Sequence, residues 1–312
     1  MAKTREIKRR MNAVGNIQRI TRTMQMIATA RFQAALSVVT QARAYAEKIS
    51  ELSGELAATL GGTLGGTLGG PLGGTGQQSI THPLLRRPGG EPGGDKDSGG
   101  GRRLLLVITS HRGLCGGYNA GVLRTATAHL RQHGQGQVDV EVVGRKGTAF
   151  FRFNRIPVAV NHSQFTDKPE YATVAKLAQH YMDVFADGSY ESVSVACMTF
   201  QTVSRQVPRI VPVLPLTQPT TERQKRSFEY DFLPDPQFLL NDLLPMTVKT
   251  KLFQHFSEAV LSEHVARMVA MKNATDSAGK MGKQLKLRFN RARQAAITTE
   301  LSEIIAGASG LD

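Results

Sequence analysis

Apolar and small residues return in alternating steps of three and four along the first sixty positions: Val14, Ile17, Thr21, Met24, Ala28, Arg31, Ala35, Val38, Ala42, Tyr45, Ile49, Leu52 and Leu56. That spacing is a heptad seam, and it predicts one long helix that pairs lengthwise with another. Residues 5–59 hold no proline and only two glycines, Gly15 and Gly54, which suits a helix. At ~1.5 Å per residue such a helix runs roughly 80 Å, longer than a compact domain of this size is wide. Ala28, Ala35 and Ala42 share one heptad position, where small side chains let two backbones approach; Thr21 and Arg31 are polar exceptions. Upstream, Ile7, Met11 and Val14 reach Ile17 by an extra step of three, which predicts a stammer and local overwinding.

Proline vanishes again from Met246 to about Ala308, predicting a second helix on the order of 90 Å. Its apolar positions form two strips, one of Leu285, Phe289, Ala292 and Ala296, the other of Ile297, Leu301, Ile304 and Ala308. Residues 60–101, opening LGGTLGGTLGGPLGG, supply too few large apolar side chains to offset the entropy of ordering glycine. The segment is expected to be a flexible insertion; the period of four in Leu60, Leu64, Leu68 and Leu72 fits either a low-complexity expansion, the favoured reading, or a glycine-rich structural repeat. From 102 to about 232 short apolar runs alternate with helical stretches. Strands are expected at 104–109, 138–143 and 193–200 and helices near 120–132 and 172–186, a parallel or mixed sheet with helices against it. Pro208, Pro212, Pro215 and Pro219 then predict an extended edge segment. The expected fold class is α/β, with a long antiparallel coiled coil of N- and C-terminal helices and a central α/β domain. The boundaries are 1–59 for the first helix, 60–101 for the insertion, 102–245 for the central domain and 246–312 for the second helix.

Composition narrows the function. With 40% apolar and 21% charged residues, global disorder is excluded. No run approaches the ~18 apolar residues of a membrane span, and the opening Met-Ala-Lys-Thr-Arg-Glu lacks the apolar core of a secretory signal, which predicts a reducing compartment. Two cysteines, Cys115 and Cys197, exclude a disulfide scaffold. The net charge of +14 calls for an acidic partner. Ten basic side chains against Glu6 and Glu47 in the first fifty residues could track a phosphate backbone, but no aromatic precedes Phe32 to stack on bases, and a solvated helix face is the plainer reading.

SHRGLCGGYNAG follows the first central strand and precedes a helix, the place where Rossmann-like domains cradle phosphate. Gly113, Gly116, Gly117 and Gly121 do not fit G-x-G-x-x-G and no Walker lysine follows, so a tight strand-to-helix turn with glycine packing is expected. Cys115 has no base paired with it in sequence, the histidines read as scattered, and the carboxylates are dispersed. No catalytic residue, metal ligand or cofactor is therefore expected, and the chain is not expected to be an enzyme in its own right.

REIKRRMNAVGNIQRITRTMQMIATARF at one end, with EHVARMVAMKNATDSAGKM and NRARQAAITTELSEIIAGA at the other, resembles the two terminal helices of the gamma subunit of F-type ATP synthases. SHRGLCGGYN resembles that family's central turn, so the likeness covers the chain outside about 60–101. The resemblance implies a central Rossmann-like α/β domain carrying a rotor shaft. The coiled coil would stand inside a ring of alpha and beta subunits, and the globular part on the membrane rotor ring of c subunits beside epsilon. Chemistry would occur on beta, with no nucleic acid involved, at the cytoplasmic face of a bacterial inner membrane. By motif, Met24 matches the methionine facing the acidic lever of beta, and Arg267, Gln294, Thr298 and Glu300 match polar contacts to the ring. FEYDFLPDP, 228–236, resembles the foot near the rotor ring. His111 departs from the acidic residue usual before Arg-Gly-Leu-Cys-Gly-Gly, and the Gly-rich segment differs from the cysteine-containing insertion of chloroplast relatives, so thiol control is not implied. The competing readings are a basic coiled coil that binds nucleic acid, and a nucleotide enzyme built on Gly113–Gly117.

Overall fold

A computed structural model describes residues 2–59, 84, 101–134, 136–216 and 236–308. Nearly all of the expected 60–101 insertion, together with Pro219 and 228–235 of the foot motif, lies outside the described residues. The elements are α1 (Ala2–Thr59), β1 (Arg103–Ile108), α2 (Tyr118–His133), β2 (Val138–Val143), α3 (Arg145–Phe153), β3 (Val160–His162), α4 (Tyr171–Ala186), β4 (Ser192–Thr202), β5 (Arg205–Leu214) and α5 (Pro236–Ala308). They fall into two compact units. The first comprises Met1–Arg31, Leu114–Gly116 and His264–Asp312, the second Phe32–Gly113 and Gly117–Glu263.

The second unit is built on a five-stranded sheet in the order β3-β2-β1-β4-β5. The first four strands are parallel, and β5 runs antiparallel to β4. β1 is buried on both faces, as parallel strands covered by helices are. Leu104, Leu106 and Ile108 point into a core shared with Val174, Tyr181 and Phe185 of α4 and with Val248, Leu252 and Phe256 of α5. Leu105 and Val107 alternate to the other face. There α2 approaches so closely that a Cβ on Gly121 would lie 3.2 Å from the Met198 methyl. The expected strands and helices fall where the pattern put them. α3 and the three-residue β3 were not foreseen. Pro208 and Pro212 stand in β5, which is an edge strand as their missing N–H groups require.

α5 begins at Pro236, ten residues before the expected Met246, and runs through Pro245. Proline removes one helical hydrogen bond and crowds the carbonyl four residues back. The helix holds because Leu244 and Val248, on the turns either side, are buried in one apolar core.

In this second unit α1 lies antiparallel to α5: Arg43 meets Glu258 and Ser53 meets Thr247. The buried line is Val39, Ala42, Ala46, Ile49 and Ser53, with Phe32 and Ala35 half-buried. The expected Ala42 and Ile49 are on it, but the intervening positions lie one residue later than read. Ala46 is 6% exposed and Tyr45 47%. Small side chains occupy the seam because the backbones come close, and the larger tyrosine turns to the flank, where its hydroxyl lies 3.8 Å from Met246 Sδ.

The first unit pairs the other ends of the same helices, Thr275 Oγ1 donating to Thr21 Oγ1 at 2.8 Å. The Gln18 amide nitrogen lies 3.0 Å from where a Cβ on Gly279 would stand. Ile7, Met11 and Val14 are half-buried, and the line continues through Gln18, exposed but reaching toward Gly279 of α5, and then Thr21, Gln25 and Ala28, in steps of three and four. Ile17, 53% exposed, is off the seam. The expected stammer therefore does not exist: it followed from giving the position to the more apolar of two adjacent residues. On α5 the strip of Leu285, Phe289, Ala292 and Ala296 is half-buried as expected, whereas Ile297, Leu301 and Ile304 face outward.

Candidate partner-binding surface

In the first unit Met24 is half-buried beside the seam of α1, and Arg267 is 8% exposed on α5. Gln294, Thr298 and Glu300 are exposed. Thr298 Oγ1 donates to the Gln294 carbonyl at 3.0 Å, so its proton is used within its own helix. Gln294 and Thr298, four apart, share a face; Glu300 does not. Arg267 lies 27 residues upstream of Gln294, about 40 Å along a helix. The five residues are thus spread along two helices and form no single pocket.

The Gly-rich turn packs onto α5 at the Arg267 level. A Cβ on Gly116, whose φ is +55°, would stand 3.6 Å from Ala270 Cβ and 3.8 Å from the Ala266 carbonyl. Cys115, the residue before Gly116, is buried. In the second unit the start of the same turn is closed by its own groups. The Ser110 amide donates to Asn119 Oδ1 at 3.0 Å, and Asn119 Nδ2 donates to Ser110 Oγ at 2.7 Å. Glycine here serves close helix packing and positive φ, the tight-turn reading.

The outward faces of the first unit combine two features. Ile17, Ile20, Met26 and Ile27 on α1 and Leu287, Ile297, Leu301, Ile304 and Ile305 on α5 are exposed apolar side chains. Arg5, Lys8, Arg19, Arg22, Lys283, Lys286, Arg291 and Arg293 stand exposed among them. A helix pair that is apolar and cationic on its outside is a surface for an apolar, acidic partner rather than for water. Ile17 and the Ile297–Leu301–Ile304 strip already carried this signal, and assigning them to seams concealed it.

Two further clusters in the second unit escaped the sequence reading. Glu141 on β2, His162 on β3 and Tyr181 on α4 are all buried. Tyr181 Oη donates to Glu141 Oε2 at 2.6 Å and His162 Nε2 to the same oxygen at 2.7 Å, while Gln164 Nε2 lies 3.0 Å from His162 Nδ1. Burial, then the adjacent carboxylate, raises the Tyr181 phenol well above its usual 10. The partners are distant in sequence: the β2–β3 pairing brings His162 beside Glu141, and α4 brings Tyr181 to the same carboxylate.

The second cluster corrects the view of the histidines as scattered. His129 and His133 are four apart on α2, with ring centroids 4.4 Å apart. Burial, then mutual repulsion and Arg103, lowers His129; burial and Arg103 lower His133. The Arg103 guanidinium, which can only donate, sits on His133 Nδ1. That arrangement keeps the remaining proton on Nε2 and places a fixed cation beside the pair, so the spacing does not make a metal site.

The comparisons agree with a helix pair carried by an α/β domain. The family model described as ATP synthase matches residues 3–311. An ATP synthase gamma chain of Leptospira biflexa is 37% identical over the full length of both chains, and one of Rhodopirellula baltica 36% identical, again over all of both. Among solved structures, a chain from the OSCP/F1/c-ring portion of the Euglena gracilis mitochondrial ATP synthase aligns over 99% of this chain and 95% of that one, with TM-score 0.64 and 15% identity. A chain from the rotor of the same enzyme aligns over 95% and 99%, with TM-score 0.60 and 15% identity. These two share the fold. The chain belongs to the ATP synthase gamma chain family. No helix among the described residues is long and apolar enough to cross a membrane.

Proposed function

We propose that the chain is the central rotor shaft of an F-type ATP synthase. It couples ion-driven turning of the c-ring to conformational cycling of the catalytic beta subunits at the cytoplasmic face of the bacterial inner membrane. It acts as a non-catalytic subunit, with alpha, beta, epsilon and the c-ring as partners and no nucleic acid. The observation that carries this reading is the first unit's outer surface, apolar and cationic on a paired-helix rod. Such a surface suits rotation inside an apolar, acidic sleeve.

Moving a catalytic site from 1:99 to 99:1 between two conformations takes about 5.5 kcal/mol of discrimination. One exposed ion pair supplies about 0 to 1 kcal/mol. The bulk of the rod is therefore the lever, and Met24, Gln294, Thr298 and Glu300 bias it, with Arg267 offering a partner the least surface. Arg267→Ala or Glu300→Ala alone leaves substantial coupled ATP synthesis in membrane vesicles. Abolished synthesis with the complex assembled would refute this division of labour. The function itself is tested by purification at high salt and by single-molecule imaging of a probe on this chain. Co-elution with a ring-forming ATPase and ATP-driven rotation are expected; salt-sensitive retention on nucleic acid without rotation would overturn the reading.

A further inference from the structure

We propose that Arg43 is a positioning residue, whose ion pair with the buried Glu258 fixes the axial register of α1 on α5 in the second unit. Arg43 Nη2 lies 2.8 Å from Glu258 Oε1 and 3.2 Å from the Phe200 carbonyl of β4, so one guanidinium ties both helices to the sheet. The Glu258 side chain is 2% exposed against 41% for Arg43, and Gln254 Nε2 donates to the same carboxylate oxygen at 3.1 Å.

The rest of the seam specifies register poorly. A slip of seven residues would put Ala35 where Ala42 stands, Ala46 where Ser53 stands and Val39 where Ala46 stands, exchanges of at most two heavy atoms, while the half-buried Phe32 would take the place of Val39 and Ala42 that of Ile49. Size therefore marks the phase only at Ile49 and at the half-buried Phe32. On α5 the residues that meet α1 include Thr247, and the buried Thr250 and Ser257 hydroxyls of the same helix have no hydrogen-bond partner among the described residues. A seam of small residues and hydroxyls adheres weakly and repeats with the heptad, so a single deep polar pair decides the phase, as buried polar groups do in other coiled coils. Ser53 and Thr247, their oxygens 3.2 Å apart, are a second and weaker mark of the same register. A slip would bury the Glu258 carboxylate without its cation, the costly arrangement.

The test uses the complex assembled in membranes and two cysteine pairs. Ser53→Cys with Thr247→Cys reports the native register. Ala46→Cys with Thr247→Cys reports a one-heptad slip, because seven residues separate positions 46 and 53 by about 10.5 Å, beyond the ~7 Å Cα reach of a disulfide. Linked peptides are identified by mass spectrometry, which keeps Cys115 and Cys197 distinguishable. With Arg43 present only the first pair should link. Arg43→Leu should raise the 46–247 product at least tenfold, and Glu258→Gln, which keeps the side-chain shape, should do the same where Arg43→Leu fails to assemble. The exchange Arg43→Glu with Glu258→Arg should restore native-only linkage. Native-only linkage in either single variant would overturn the proposal. The readout is chemical proximity within one chain, so it stands or falls independently of the shaft reading. A further readout, ions pumped per ATP hydrolysed, should drop in the slipped variants while hydrolysis persists.

Discussion

Replacing Tyr181 by phenylalanine isolates one hydrogen bond at nearly constant volume. The hydroxyl donates at 2.6 Å to Glu141 Oε2, and both side chains are buried. A hydrogen bond to a charged group contributes about 1.5–3 kcal/mol, and the carboxylate left behind cannot recover it from water. His162 still donates to the same oxygen, which places the expected loss nearer 2 kcal/mol than 3. For a domain of 150–250 residues that corresponds to a fall of roughly 4–8 °C in Tm. The assay is thermal and urea unfolding of the full chain followed by far-UV circular dichroism, with Glu141→Ala as comparison. That variant strands both the phenol and the imidazole and should cost more than Tyr181→Phe. A loss below about 0.5 kcal/mol for Tyr181→Phe, with m unchanged, would show that the carboxylate does not depend on this hydroxyl and would refute the account of the cluster.

Tyr181, Tyr190 and Cys197 set the alkaline limit. Burial pushes Cys197 up to about 12, and burial with Asp139 pushes Tyr190 to about 12. With Tyr181 also raised, the unfolded state loses protons first, so stability should fall as pH climbs from about 9 toward 12. Tyr181→Phe should make that decline shallower in a pH series of urea midpoints. At the acid end His129 and His133 are lowered in the folded state, so the unfolded state takes up protons first. Their contribution is complete above pH 6.5 and declines below it; a double change to glutamine should flatten this slope, and an unchanged slope would remove the cluster's role. Gly144 has φ +99°, and a Cβ there would stand 2.2 Å from the Thr109 carbonyl oxygen. Gly144→Ala should cost at least about 3 kcal/mol of stability, and a wild-type urea midpoint would contradict it.

Much of the fold was legible, because burial imposes periodicity that survives in the residues themselves. LLLVIT is apolar without alternation because β1 is covered on both faces, and the prolines of β5 can stand only at an edge. What was misread lies in pairs of adjacent positions. Gln18 rather than Ile17, and Ala46 rather than Tyr45, sit on the seam. Helix geometry alone allows either, and closeness of the partner backbone decides. β3 is three residues long, too short for any pattern, yet it carries His162 to Glu141. The outer surface of the first unit was misread for a related reason. A pattern that buries apolar residues within one chain cannot tell a residue buried by its own partner helix from one left exposed on the helix surface, and Ile304, 69% exposed, is of the second kind.

The polar marks along the helix pair serve specificity more than adhesion. Thr275 Oγ1 donates to Thr21, and Thr21 Oγ1 in turn can donate to the Gln18 carbonyl at 3.1 Å, so the first-unit pair forms a short chain with no stranded proton. Apolar residues of equal shape at both positions would hold the helices about as well, since only a half-satisfied pair is costly. What the hydroxyl pair adds is a penalty on every other alignment. A seam rich in alanine, threonine and serine gains close backbone approach and gives up part of the size contrast by which larger cores fix their own register. The buried hydroxyls, together with the ion pair in the second unit, restore that information at positions where a shifted partner would be apolar. Their value is therefore largest under load, when a force along or about the axis samples the neighbouring alignments that equilibrium unfolding never populates.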